Sequence, residues 1–259
     1  MLSYQHGFHA GNAADVHKHA LLAAALAYLT RKDKPLTYIE THAGRGLYDL
    51  AGTQAQKTGE AEAGIKRLEA AFEPDHPYLR ALAATRAAHG PQAYPGSPLI
   101  ARALLRPGDT LHLAELHPQE HAHLAAAFAD TRAQVAKSDG FATARALCPP
   151  TPRRGMLLID PPYEIKDDYT RLPDFLSALH KKWNVGVLAL WYPILANGAE
   201  AAMARALDAL DLPETLHHRV RFPAARAGHG MQGSGMFVVN TPYGLAEEAT
   251  RLDRHFSQL

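Results

Sequence analysis

Residues 155–164 read G-M-L-L-I-D-P-P-Y-E, and the fold turns on them. Met156 to Ile159 is a short apolar run, opened by Gly155 and stopped by two prolines. That pattern predicts a buried parallel strand with a hard C-terminal stop. Asp160 is then left at the mouth of the sheet, where open α/β sheets bind ligands. A carboxylate accepts hydrogen bonds, and Pro161 offers a carbonyl but no N–H, so the backbone there presents acceptors only. The double proline stiffens the turn, and Tyr163 brings a ring that can stack on a flat base. Together these groups can hold an exocyclic amine by its two N–H bonds. The plain alternative is a strand ending in an Asp-Pro turn.

Outward from this strand, extended and helical patterns alternate. Strands are predicted over 36–40, 110–114, 134–136, 156–159 and 185–191, and helices over 13–29, 119–129, 141–147, 172–183 and 199–210. Asn12 reads as the N-cap of the first helix, and Pro173 falls in the first turn of the 172–183 helix. Two late strands, 216–222 and 236–240, fit an antiparallel edge hairpin, and 252–256 belongs to a terminal helix. The fold class is therefore α/β, with a doubly wound, mostly parallel sheet.

The first strand runs into Thr41-His42-Ala43-Gly44-Arg45-Gly46, a glycine turn that lets the backbone approach a ligand. In an uninterrupted fold the next acidic strand exit lies about 20 residues on. Here it is Glu115, much farther along, and two helical patterns, 60–72 and 78–89, split by Pro74 and Pro77, fill the gap. Residues 51–93 are read as an inserted helical subdomain, leaving 1–50 and 94–259 as the main domain. Ser97 is expected to N-cap a helix starting at Pro98.

The totals narrow the classes. The chain has 259 residues, 47% of them hydrophobic, enough for one large domain with an insertion. A single cysteine, Cys148, excludes an intrachain disulfide and a cysteine-based zinc site and suits a reducing, cytoplasmic home. The first residues lack a secretory pattern, and the apolar run 20–29 is too short to span a bilayer. A net charge of +1 excludes a strongly basic nucleic-acid binder but not a local basic face. Candidates for such a face are Arg31, Lys32, Lys34, Arg45, Arg153, Arg154 and Arg226, with a Gly-rich loop over 223–235 that carries Arg226 and His229. His6/His9 and His17/His19 raise a metal site, but the i,i+2 spacing of His17/His19 on a helix turns side chains apart, and no H-E-x-x-H occurs. No metal is expected.

Strand exits thus carry His42 and Gly44, Glu115, Asp139 with Gly140, and Asp160. Such a set lines one crevice. Glu115 suits the ribose hydroxyls of an adenosine cofactor, and Asp139 with the Gly140 backbone suits an adenine edge. No Walker lysine follows the glycine turn, so phosphates are disfavoured. The alternative for Glu115 and Asp139 is that each caps the helix after it.

At this point the sequence resembles the bacterial family of 23S rRNA (adenine(2030)-N6)-methyltransferases. The resemblance rests on M-L-S-Y-x-H-x-F-H-A-G-N-x-A-D-V-x-K-H, T-H-A-G-x-G, Y-P-G-S-P-L-I-A-R, x-E-L-H-P, x-D-G-F and L-I-D-P-P-Y-E, nearly the whole chain. It implies a Rossmann-like methyltransferase with an inserted helical subdomain, which consumes S-adenosyl-L-methionine, releases S-adenosylhomocysteine, and acts on 23S rRNA or a large-subunit assembly intermediate. It implies cofactor contacts from His19, His42, Ser97, Glu115, Asp139, Gly140 and Asp160, with Gly44 in the turn. Asp160, Pro161, Tyr163 and Lys18 would be catalytic, and Tyr4, His6, Lys18 and Tyr163 would face the substrate. Tyr4 and Lys18 suggest a mobile N-terminus laying a ring and a cation over the target. No membrane and no obligatory protein partner are implied. The competing readings are a DNA adenine-N6 methyltransferase, a non-catalytic RNA-binding module on the same fold and, third, a metal-dependent hydrolase.

Overall fold

The structure is a computed structural model and describes residues 4–165, 167–224 and 230–259. Its first helix, α1 (Ala13–Leu29), starts where Asn12 accepts the Asp15 N–H, as expected. α1 is buried on almost every side, which its run of alanines and leucines permits. Then come β1 (Thr37–Glu40), β2 (Leu47–Asp49), the helices α2 (Thr53–Thr58), α3 (Glu60–Ala63), α4 (Ile65–Leu68) and α5 (Pro77–His89), and β3 (Ala93–Pro95). β2 and β3 pair antiparallel and bracket the four helices. The single helix expected over 60–72 is instead broken at Gly64. A Cβ there would lie 2.1 Å from the Gly11 carbonyl, which accepts the next N–H, from Ile65, at 2.8 Å. Only glycine lets the chain cross that close to the start of α1.

From β3 the alternation is regular: α6 (Ser97–Leu104), β4 (Thr110–Ala114), α7 (Pro118–Ala127), β5 (Gln134–Ala136), α8 (Gly140–Leu147), β6 (Gly155–Ile159), α9 (Asp168–Lys182), β7 (Val187–Leu195), α10 (Ala201–Asp208), β8 (Leu216–Arg221), β9 (Met231–Val239) and α11 (Leu245–Phe256). α9 begins four residues earlier than its pattern suggests, so Pro173 sits inside it rather than in its first turn. Asp168, nearly buried and paired to Arg171 at 2.6 Å, supports the added turn. β7 runs on to Leu195, and Pro193 lies within it. A proline is tolerated there because β6 has already ended, opposite Leu190, and only β9 is paired.

Seven strands form one sheet in the order β5-β4-β1-β6-β7-β9-β8. β5, β4, β1, β6 and β7 are mutually parallel, and β9 and β8 complete an antiparallel edge. This is a doubly wound, Rossmann-like α/β fold. Side-chain alternation builds its two cores. Met156 and Leu158 of β6 join α1, α6, α11 and the helices after β2 on one face. Leu157 and Ile159 join α8, α9 and α10 on the other. The order reverses at β1, between β4 and β6. A crevice must open beyond the C-terminal ends of these strands, where helices leave in opposite directions.

Candidate active site

The crevice is a cleft of about 440 Å³. The catalytic, cofactor and substrate candidates named from the sequence all line it: Tyr4, His6, Lys18 and His19 from the N-terminal side, His42, Gly44, Ser97 and Glu115 around the glycine turn, and Asp139, Gly140, Asp160, Pro161 and Tyr163 from the exits of β5 and β6.

The centre is an ion pair. Lys18 donates to Asp160 Oδ2 at 2.6 Å and lies 3.3 Å from Asp15 Oδ1. Burial alone would lower the lysine pKa, but the two carboxylates reverse this and raise it, so the ammonium is fixed. Asp15 is itself buried. Burial favours its neutral form, and His6, Lys18 and His19 overcome that and hold it well below the usual range. His6 binds Asp15 Oδ2 at 2.8 Å and accepts or donates to the Tyr4 hydroxyl at 2.8 Å. The Tyr4 ring stacks on His9, with centroids 5.6 Å apart. Lys18 therefore stands on a buried helix, α1.

Around the glycine turn, Glu115 takes the Gly44 N–H at 2.8 Å on one oxygen and the His117 N–H at 2.7 Å on the other. It braces the turn, while His117 caps α7. Asp139 does cap α8, accepting the Ala142 N–H at 2.7 Å. Gly140 follows because a Cβ there would meet the Thr41 carbonyl at 1.9 Å. His42 rests edge-on against Phe141, and burial lowers its pKa to about 4. The Ser97 hydroxyl does not cap α6, as its position suggests. It donates instead to the fully buried Glu40. His19 is buried against the Tyr94 hydroxyl, and burial lowers its pKa to about 3. Tyr163 adopts a left-handed backbone, φ 55°, and donates its hydroxyl to the Trp191 carbonyl at 2.6 Å.

Sequence reasoning missed three residues here. Asp15, one helical turn before Lys18, was readable as an i,i+3 partner. Glu40 was visible only as the last residue of β1. Trp191 ends the apolar run in W-Y-P, and nothing local marks it as a cleft residue. The basic candidates divide. Arg45 is held by Glu120 at 2.6 Å beside the cleft. Arg31, Lys32, Lys34, Arg153 and Arg154 gather around the starts of β1 and β6, the opposite end of the sheet. Arg226 and His229 lie outside the described residues.

A parallel sheet with an antiparallel edge, acids at the exits of β4, β5 and β6, and D-P-P-Y beyond β6 define a Rossmann-like methyltransferase. Residues 33–258 match the family described as ribosomal RNA large subunit methyltransferase D, RlmJ, and the chain belongs to that family. It is 41% identical to the ribosomal RNA large subunit methyltransferase J of Escherichia coli over 96% of this chain and 90% of that one. It is 38% identical to its namesake in Haemophilus influenzae over 95% and 89%. The crystal structure of protein LPL1258 from Legionella pneumophila superposes with a TM-score of 0.85 at 32% identity, over 96% of this chain and 93% of that one.

Proposed function

We propose that this protein methylates N6 of one adenine in 23S ribosomal RNA, using S-adenosyl-L-methionine. The observation that carries the reading is Asp160-Pro161-Pro162-Tyr163 standing beyond β6 at the reversal of strand order, with the Asp160 carboxylate clasped by Lys18. The cleft suits the cofactor. Glu115 sits where a ribose diol needs a carboxylate, Asp139 and Gly140 stand at the adjacent exit, and no lysine follows the glycine turn to take a phosphate. Bound there, the cofactor would supply an electrophilic methyl group.

Adenine N6 is a weak nucleophile because its lone pair is shared with the ring. Asp160 and the Pro161 carbonyl accept its two N–H bonds and favour a pyramidal nitrogen aimed at the methyl. The rate then comes from positioning and preorganised charge. Lys18 occupies one Asp160 oxygen, which leaves the other for the amine and keeps the carboxylate aligned. After transfer, the acidic substituted amine gives its proton to Asp160. Tyr163 stacks on the base, a contact of roughly 1–3 kcal/mol.

The natural substrate is the rRNA or a large-subunit assembly intermediate, with no obligatory protein partner. A cytoplasmic location goes with that substrate, and no helix among the described residues is long and apolar enough to cross a membrane. Residues 51–93 are an insertion into the methyltransferase domain, hung on the β2–β3 ribbon.

The direct test is mass spectrometry of 23S rRNA from cells lacking the protein, which should miss one N6-methyladenosine. In vitro, Asp160→Ala should lower methylation by roughly 10²–10³-fold, the cost of removing one preorganised group. Full activity in that variant overturns the assignment. Preferential labelling of DNA by the wild-type protein would move the substrate to DNA, and absence of cofactor binding would leave an RNA-binding module.

A further inference from the structure

A line of hydrogen bonds crosses from the cleft to the surface through groups the mechanism leaves unused. Trp191 Nε1 donates to Ser234 Oγ at 2.7 Å. Ser234 Oγ meets His17 Nδ1 at 2.7 Å, His17 Nε2 meets His218 Nδ1 at 2.9 Å, and His218 Nε2 meets Asp253 Oδ1 at 3.0 Å. Ser234 and His17 are fully buried and His218 nearly so, whereas the Asp253 side chain is 62% exposed.

The chemistry of its two ends directs the terminal bonds. An indole N–H only donates and a carboxylate only accepts. Ser234 must therefore accept from Trp191, and His218 Nε2 must donate to Asp253. His17 joins the two ends, one ring nitrogen on Ser234 and the other on His218. Burial, and next the His218 ring, push the His17 pKa well down, which keeps its ring neutral. Phe256 closes against the His17 ring at 5.9 Å. Both His17 ring nitrogens are engaged, and the line runs unbroken from the indole to the carboxylate.

Its inner end touches the catalytic set from two sides. The Lys18 ammonium lies 5.2 Å from the Trp191 ring centroid, within cation–π range. The Trp191 carbonyl holds the Tyr163 hydroxyl. We propose that Trp191 is a further positioning residue of the methyl-transfer site, its indole locked by the Ser234–His17–His218–Asp253 line so that Lys18 and Tyr163 keep their places against Asp160. The rate consequence rests on the methyltransferase reading. The lock itself does not.

Two readouts separate these. The chain has two tryptophans, and the other, Trp183, donates to the Arg153 carbonyl elsewhere. Proton NMR therefore shows two indole N–H signals, and Trp191→Phe assigns them. Asp253→Leu removes an exposed acceptor remote from the cleft and should move the Trp191 signal alone. The same variant should lower kcat roughly ten-fold, about one hydrogen bond's worth, with KM for S-adenosyl-L-methionine unchanged. Asp253→Asn keeps an acceptor oxygen and should restore both the signal and the rate. Ser234→Ala, nearer the indole, should act like Asp253→Leu. An unmoved indole signal in Asp253→Leu overturns the lock. A moved signal with kcat intact overturns the positioning role. Wild-type protein inactive on RNA with the signals still responding would fault the proposed function and leave the lock standing.

Discussion

Lys18 and Asp160 explain each other. A buried ammonium without a carboxylate would deprotonate, and a carboxylate at the foot of an apolar cleft without a cation would be costly to keep charged. Replacing Lys18 by Met leaves Asp15 and Asp160 facing one another, and should cost roughly 3–5 kcal/mol of stability, the usual penalty for stripping one member of a buried pair. Chemical denaturation checks this, and Asp160→Asn in the same background should recover part of the loss. Glu40 lies behind the pair. Burial pushes its carboxyl up to about 8, against the pull of the Ser97 and Tyr38 hydroxyls and the Lys18 charge. A raised folded value means the folded chain keeps a proton that the unfolded chain loses above about 4.5. The resulting stability is whole below that pH and drains away as pH rises toward 8. His19 and His42 act with the opposite sign. They stay neutral when folded, with values near 3 and 4, while the unfolded imidazole takes a proton below 6.5. Their contribution is present above 6.5 and is lost as pH falls toward 4. Thermal melts should accordingly peak near neutrality. Glu40→Gln, which cannot ionise, should flatten the fall in stability up to about pH 8 and steepen the rise between about pH 4.5 and 6.5.

Among elements, α8 shows how closely the site depends on packing. Its first residue, Gly140, sits directly under the exit of β1, with room for no side chain beside the Thr41 carbonyl. Gly140→Ala must push helix and strand apart, so its melting temperature should fall by several degrees, and calorimetry should find cofactor affinity weakened as well. That variant tests whether the cleft is set by the join between β1 and α8. The long patterned elements were readable beforehand. α1, β5, β6 and α8 fall within a residue or so of their expected bounds because period and punctuation agree there. Asp160 and Glu115 were readable for the same reason, since a polar residue directly after an apolar strand lies at the sheet's mouth, and Asp139 follows in the exit turn of β5. The elements that escaped lacked such local agreement. β2 and β3, of three residues each, exist because they pair with each other. The break at Gly64 comes from Gly11, distant in sequence. The hydroxyl of Ser97 looked like a cap until the fold placed Glu40 within its reach. Trp191 was hidden because its partners come from α1, β9 and the turn after β6.

The whole molecule is electrically lopsided in a way that net charge conceals. Beside the cleft, Lys18, Arg45 and Arg171 are each paired to a carboxylate. At the far end of the sheet Arg106 donates to the Lys32 and Lys34 carbonyls at 2.5 and 2.7 Å, and Arg154 to the Lys34 carbonyl at 3.0 Å. These bonds fold the α1–β1 connection against the sheet and leave the side chains of Arg31, Lys32, Lys34 and Arg153 exposed. Next to them the Tyr243 ring, 76% exposed, leans on Tyr28, whose other neighbour is the Arg31 guanidinium at 5.8 Å. Cations interleaved with rings suit a folded RNA. The length of β6, five residues at about 3.3 Å each, sets this face roughly 16 Å from Asp160. A short oligonucleotide held in the cleft cannot reach it, and a long rRNA fragment can. Lys32→Glu with Arg153→Glu should therefore leave methylation of a short adenine-containing oligonucleotide unchanged. On a long 23S fragment the same pair should raise KM several-fold and flatten the salt dependence by about two in log–log slope, one for each lost phosphate contact. Equal KM values and equal slopes on the long fragment would show that the far face is merely solvated, and that the cleft and its rim carry the RNA alone.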